Sequence, residues 1–182
     1  MSSIAGHKVA VLATDGVEQV ELTEPVKALQ QAKAHVVVIA PHGGQIQGMN
    51  HSEKGDKLKV DQELGSVSAD EFDALVLPGG VANPDYLRID KNAVAFVRHF
   101  VQTRKPIAAI CHGPWTLIEA GGVEGHRMTS WPSLRTDLRN AGATWEDKPV
   151  VVDDGLVTSR KPDDLPDFCR EMVKMFSEMV QA

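Results

Sequence analysis

Four short apolar runs, bounded by turn residues, most constrain how this chain can fold. They span residues 7–13 (His-Lys-Val-Ala-Val-Leu-Ala), 34–40 (Ala-His-Val-Val-Val-Ile-Ala), 73–77 (Asp-Ala-Leu-Val-Leu) and 107–110 (Ile-Ala-Ala-Ile). Runs this short and this continuously apolar are the pattern of strands buried on both faces. The chain between them reads largely as helix. After Thr14-Asp15-Gly16, Leu22, Val26 and Leu29 share one helical face, with Pro25 either kinking that helix or marking a second start. Asp90 caps a helix whose apolar face is Val94, Val97, Phe100 and Val101. Further on, the pattern predicts a strand over Gly125–Thr129, a helix over Pro132–Ala141, a hairpin of Val150–Val152 and Leu156–Ser159 around Asp153-Asp154-Gly155, and a closing helix over Asp163–Val180. Residues 45–66, rich in glycine and polar side chains, read as a small hairpin or an irregular excursion. Alternating strands and helices of this kind build an α/β sandwich, a mainly parallel sheet with helices on both faces.

At 182 residues the chain reads as one domain, 1–182, with no internal repeat and no linker. A formal net charge of −6 argues against binding nucleic acid through its phosphates. The chain has no run of about 18 apolar residues and its first residues lack a secretory pattern, so a cytoplasmic protein with no membrane association is expected. Cys111 and Cys169 form no disulfide framework, and Cys169 falls on the apolar stripe Leu165, Phe168, Met172, Met175, Phe176, Met179, which places it in the core. The seven histidines show no paired ligand spacing, and neither Gly43-Gly44 nor Gly79-Gly80 has a nucleotide-binding spacing. No metal and no cofactor is expected. The tryptophans, Trp115, Trp131 and Trp145, read as core or pocket wall.

Ligands of such sheets sit at the carboxyl ends of the strands. Three polar-rich corners should therefore meet, those after Ala13, Leu77 and Ile110. The third carries Cys111 on a break between a buried strand and a helix that stops at Gly121-Gly122, a position that presents a thiol to ligand and favours the thiolate at a helix N-terminus. His112 is a candidate general base, although sequence neighbours often point apart. Asp85, just beyond Pro78-Gly79-Gly80, is the candidate to orient it, and would equally serve as a helix N-cap near Tyr86. N–H groups at Gly79 or Gly80 and at His112, the residue after Cys111, are candidates for an oxyanion hole, while turn geometry alone also accounts for the glycines. Glu18 and Glu21 open the first helix at the same rim, as acids beside the thiol or as partners of the helix dipole.

The segment Ala109-Ile110-Cys111-His112-Gly113-Pro114 resembles the nucleophile elbow of the PfpI-type intracellular cysteine peptidases. Their superfamily also holds the parkinsonism-associated stress protein and the class I glutamine amidotransferases. Gly16-Val17-Glu18-Gln19-Val20-Glu21-Leu22, Leu77-Pro78-Gly79-Gly80, Pro84-Asp85, Thr129-Ser130-Trp131-Pro132, Asn140-Ala141-Gly142-Ala143 and Val157-Thr158-Ser159-Arg160 resemble further landmarks of that family, in order. The resemblance implies a flavodoxin-like three-layer sandwich and a Cys111-His112 pair. It also implies an acidic third member taken from a neighbouring subunit, hence at least a homodimer. Asp85 matches that acid, where the peptidase pattern has Glu one residue closer to the glycine pair. Glu21 matches the acid that contacts the thiol, with Glu18 beside it. The implied activity is that of a stress-related cysteine hydrolase, either a peptidase or a glycation-repair enzyme (deglycase or glyoxalase) acting on a peptide or a small carbonyl adduct. The alternatives are a redox sensor oxidised at Cys111 and a holdase chaperone. Amidotransferases use a late His-x-Glu pair, and no histidine follows Ser159.

Overall fold

The structure, a computed structural model, describes residues 2–180, so Met1, Gln181 and Ala182, the ends of the expected domain, lie outside the described residues. The first half contains β1 (Lys8–Leu12), β2 (Val17–Glu18), α1 (Gln19–Gln31), β3 (His35–Ala40), β4 (Gln45–Asn50), β5 (Glu53–Lys59), β6 (Gln62–Glu63), β7 (Ala74–Leu77) and α2 (Ala82–Ile89). The second half contains α3 (Lys91–Thr103), β8 (Ile107–Ile110), α4 (Pro114–Glu119), β9 (Arg127–Met128), α5 (Arg135–Asn140), β10 (Thr144–Trp145), β11 (Val150–Asp153), β12 (Leu156–Ser159) and α6 (Leu165–Val180).

Seven strands form the central sheet in the order β11-β12-β8-β7-β1-β3-β6. Every pair is parallel except β11 with β12, the hairpin at one edge. Alternate residues of each strand feed opposite cores, as the two-residue pleat requires. Ala10 and Leu12 of β1, Leu75 and Leu77 of β7, and Ile107 and Ala109 of β8 join Leu87, Val97, Phe100, Leu117 and Leu138 from α2 to α5. Val9 and Val11, Ala74 and Val76, and Ala108 and Ile110 join Leu22 and Leu29 of α1 and Phe168, Met172 and Phe176 of α6. This is the α/β sandwich expected, and each large side chain sealed in it contributes about 1.5–3 kcal/mol.

Asp90 caps α3 as expected, accepting the N–H groups of Asn92 (2.9 Å) and Ala93 (3.1 Å). Pro25 lies within α1, which runs on without a break. Residues 45–59 form the β4–β5 hairpin, which pairs with β2 in a separate three-stranded sheet. Three expectations are corrected. The strand over Gly125–Thr129 shrinks to β9, which pairs with β10 and not with the central sheet. The helix over Pro132–Ala141 is a single 3-10 turn, Pro132–Leu134, followed by α5. Cys169 is half-buried and packs on the rim of the core, because it lies about 100° around α6 from Phe168. Among the described residues no helix is long and apolar enough to cross a membrane.

Candidate active site

The order β8-β7-β1 puts the three corners side by side at the carboxyl end of the sheet. A residue without a sequence signal joins two of them. Asn83 is fully buried; its Oδ1 accepts the Thr14 N–H at 2.7 Å, and its Nδ2 donates to the carbonyls of Pro78 (3.1 Å) and Gly79 (3.0 Å). The corners after β1 and β7 are thereby one rigid unit.

Cys111 stands at φ 63°, a left-handed conformation that costs a non-glycine residue about 1–2 kcal/mol. Both of its peptide groups are pinned: its N–H donates to Ser159 O and its carbonyl accepts from the Trp131 N–H, each at 3.0 Å. Strain persists where the surroundings over-determine it in this way, and such positions cluster at active sites. The sulfur lies 3.1 Å from Nδ1 of His112, whose ring is wedged between Trp115 and Trp131. Sequence neighbours therefore do share a rim here, because the left-handed turn folds one side chain back onto the other.

Glu21 reaches the same sulfur from α1. It is fully buried, its Oε1 accepts the Gly79 N–H at 3.0 Å, and the carboxyl interacts with the Cys111 thiol and the Gly80 N–H. Glycine is obligatory at this corner. A Cβ on Gly79 would stand 2.4 Å from Glu21 Oε1 and 2.7 Å from the Cys111 Cβ, and one on Gly80 would stand 2.4 Å from the Gly16 carbonyl. Glu18, also buried, holds the tip of the β4–β5 hairpin by accepting the His51 N–H at 3.1 and 3.2 Å. The open cleft beside them has a volume of about 330 Å³, and Glu18, Glu21, Met49, His51, Cys111 and Trp131 are among its walls.

The sequence matches the model of the DJ-1/PfpI family over residues 7–175. The chain belongs to this family. It is 44% identical to "Protein/nucleic acid deglycase 2" of Escherichia coli (strain K12), over 92% of this chain and 96% of that one. It is 45% identical to YraA of Bacillus subtilis (strain 168), provisionally named a cysteine protease, over 92% of this chain and 97% of that one. Among solved structures, Drosophila melanogaster DJ-1beta superposes with a TM-score of 0.85 at 28% identity, covering 100% of this chain and 95% of that one.

The electrostatics of this DJ-1/PfpI site differ from the sequence expectation. Burial, and then the charge of Glu21, push the Cys111 thiol up, against the N–H groups of Gly80 and His112, which favour the thiolate. The short helix α4 does not outweigh that desolvation. Burial also carries His112 down to about 4, so the resting pair is a neutral thiol beside a neutral imidazole. Glu21 is raised to about 8 by burial and by the charge of Glu18, and holds its proton at neutral pH.

Two site expectations change. The Gly79 N–H is committed to Glu21, which leaves Gly80 and His112 as the N–H groups facing the sulfur. Asp85 lies exposed in the first turn of α2, with Val81 at the cap, and makes no side-chain hydrogen bond to His112 among the described residues. Of the three tryptophans, Trp131 forms pocket wall. Met49, His51 and Pro162 join that wall without any sequence signal, the first two from the hairpin and Pro162 from a turn that Arg160 fastens to Asp164. Among the described residues no group of three or more His, Cys, Asp or Glu is placed to hold a metal ion.

Proposed function

We propose that this protein is a Cys111-dependent hydrolase of the glycation-repair kind, which removes small carbonyl adducts from amines or thiols in the cytoplasm. The observation that carries this reading is the strained Cys111 at the floor of a small cavity, with the protonated Glu21 carboxyl against its sulfur. A cavity of about 330 Å³ lies at the small end of ligand sites, which span ~300–1,000 Å³. It suits an adduct of a few carbons better than an extended polypeptide.

For an aminocarbinol, R–NH–CH(OH)–R′, Cys111 Sγ forms a bond to the carbinol carbon and the C–N bond breaks. The thiol gives its proton to His112 Nδ1, at 3.1 Å, and the departing nitrogen takes the proton of Glu21. The N–H groups of Gly80 and His112 face the charge that gathers at the sulfur and its adduct. Water then adds to the carbon and gives one proton to the Glu21 carboxylate, the C–S bond breaks and the sulfur takes back the proton held by His112, so the free amine and the hydrated carbonyl compound leave. Because thiol ionisation is uphill in the resting site, ionisation belongs to the substrate-bound state. That same burial weighs against a peroxide sensor, which works through an accessible thiolate.

We further assign Asp85 to the site across a subunit contact, in at least a homodimer. Support comes from α2, where Asp85 lies beside three exposed apolar residues, Val81, Tyr86 and Ile89, the last 81% exposed. The decisive assay compares release of amine from methylglyoxal-modified amino acids, and cleavage of unmodified peptides, by wild type and Cys111→Ser. Release above the protein-free rate only in the wild type is expected; equal release by both proteins overturns the proposal. Aggregation assays on Cys111→Ser test the holdase alternative, which requires undiminished protection of client proteins.

A further inference from the structure

We infer that His42 is a proton-operated clasp that holds the β4–β5 hairpin against the corner after β1, and so sets how far the Cys111 cleft opens. His42 lies in the turn Pro41-His42-Gly43-Gly44 between β3 and β4, away from the residues that line the cleft. Its two ring nitrogens each meet an acceptor: Nε2 stands 2.8 Å from Asp15 Oδ2, and Nδ1 stands 3.1 Å from the Gly43 carbonyl oxygen. A carboxylate and a carbonyl oxygen have no proton to give, and a neutral imidazole has a single N–H. Both contacts are hydrogen bonds only in the imidazolium, so this geometry is that of a charged His42.

The clasp reaches the cleft through Asp15. Its Oδ2 takes His42, while Oδ1 accepts the Gln47 N–H of β4 at 2.8 Å, and the next residue, Gly16, donates its own N–H to the Gln47 carbonyl at 2.9 Å. Just beyond Gln47 stand Met49 and His51, both walls of the cleft. The other charges around the pair are Glu63 of β6, which faces His42 and whose side chain lies over Gly43, and Lys57 of β5, which faces Asp15. The Gly43 carbonyl and then Asp15 raise His42 above its ordinary 6.5. Partial burial raises Asp15, but the Gln47 N–H and His42 outweigh it and hold the carboxyl below its usual range. Because the folded value of His42 is the higher one, the clasp is complete below pH 6.5 and is lost as pH rises through that value. A neutral His42 keeps one of its two bonds at most, and the carboxylate that anchors Gln47 loses its charged partner. Both side chains are about half exposed, which limits the effect to a severalfold change in the open population.

The test uses the whole protein and two readouts. Alkylation of Cys111 by iodoacetamide is compared in the wild type and His42→Ala, each pair of rates being taken at one pH so that thiol ionisation cancels. His42→Ala is expected to react about threefold faster at pH 6, where the wild-type clasp is closed, and at the wild-type rate at pH 9, where it is open. A rate ratio that does not change with pH overturns the inference. The second readout needs the wild type alone: the ring-nitrogen chemical shifts of His42, and exchange of the Gln47 amide corrected for its intrinsic pH dependence. Two protonated ring nitrogens at pH 6, and a loss of Gln47 protection that follows the titration of His42, are expected. A neutral His42 ring at pH 6, or Gln47 protection that ignores the titration, overturns the inference even if His42→Ala fails to fold. Neither readout involves turnover, so their failure leaves the hydrolase reading standing.

Discussion

The Glu21 carboxyl lies beside the Cys111 thiol, with Oε1 tied to the Gly79 N–H at 3.0 Å. Two groups that are each anionic when ionised share one buried space, so the pair carries a single negative charge far more readily than two. An ionised Glu21 therefore opposes ionisation of the Cys111 thiol.

Replacing Glu21 by Gln removes that competing charge while keeping a donor beside the sulfur. The Cys111 thiol is expected to ionise at lower pH, and its alkylation by iodoacetamide at pH 9, where the wild-type Glu21 carboxyl is ionised, to rise about tenfold. An alkylation rate equal to that of the wild type between pH 6 and 9 would contradict the coupling.

Stability should fall towards both ends of the pH range for two separate reasons. His112 is depressed to about 4 from 6.5, so the unfolded chain binds more protons between these values and stability is lost as pH falls from 6.5 towards 4. Glu21 is raised to about 8 from 4.5, so the folded chain binds more protons there, and stability declines as pH rises from 4.5 through 8. Urea midpoints at pH 5.5, 7 and 9 are expected to show Glu21→Gln flattening the loss at high pH, on the order of 1–3 kcal/mol, without altering the acid limb.

Gly79→Ala forces a methyl group into the Glu21–Cys111 contact. A loss of about 2–4 kcal/mol in thermal unfolding, with near-complete loss of Cys111-dependent activity, is expected. Gly65→Ala is the control, since a Cβ there meets nothing within 4 Å; it should unfold within about 0.5 kcal/mol of wild type.

Asn83→Ala strips three hydrogen bonds from buried groups and separates the corners after β1 and β7. A destabilisation of about 2–4 kcal/mol is expected, together with faster hydrogen exchange at Thr14, whose amide it binds. Exchange at Thr14 unchanged from wild type would show that the corners hold without it.

The strands and the corner that carries Cys111 were legible because they are local: four apolar runs, a capping Asp90, a cysteine ahead of a helix. Helix α2, the division of residues 132–141 and the hairpin's part in the pocket were not. Met49 and His51 line the cavity beside Cys111 because β2 pairs with β4, a contact between segments about 30 residues apart that leaves no periodic trace. Asn83 looks like any polar residue of a loop until its three partners are seen.

By itself the sequence determined a mainly parallel α/β sandwich, with Cys111, His112 and the acids Glu18 and Glu21 at one end of it, because hydrophobic period and turn chemistry are written residue by residue. Only the tertiary structure decided the charge states at that end. Burial reverses the expected drop in the Cys111 thiol, holds a proton on Glu21 and takes the Gly79 N–H away from substrate. The ionisation of a group depends on the water it loses and the charges it meets, and both are set by packing between segments far apart in the chain.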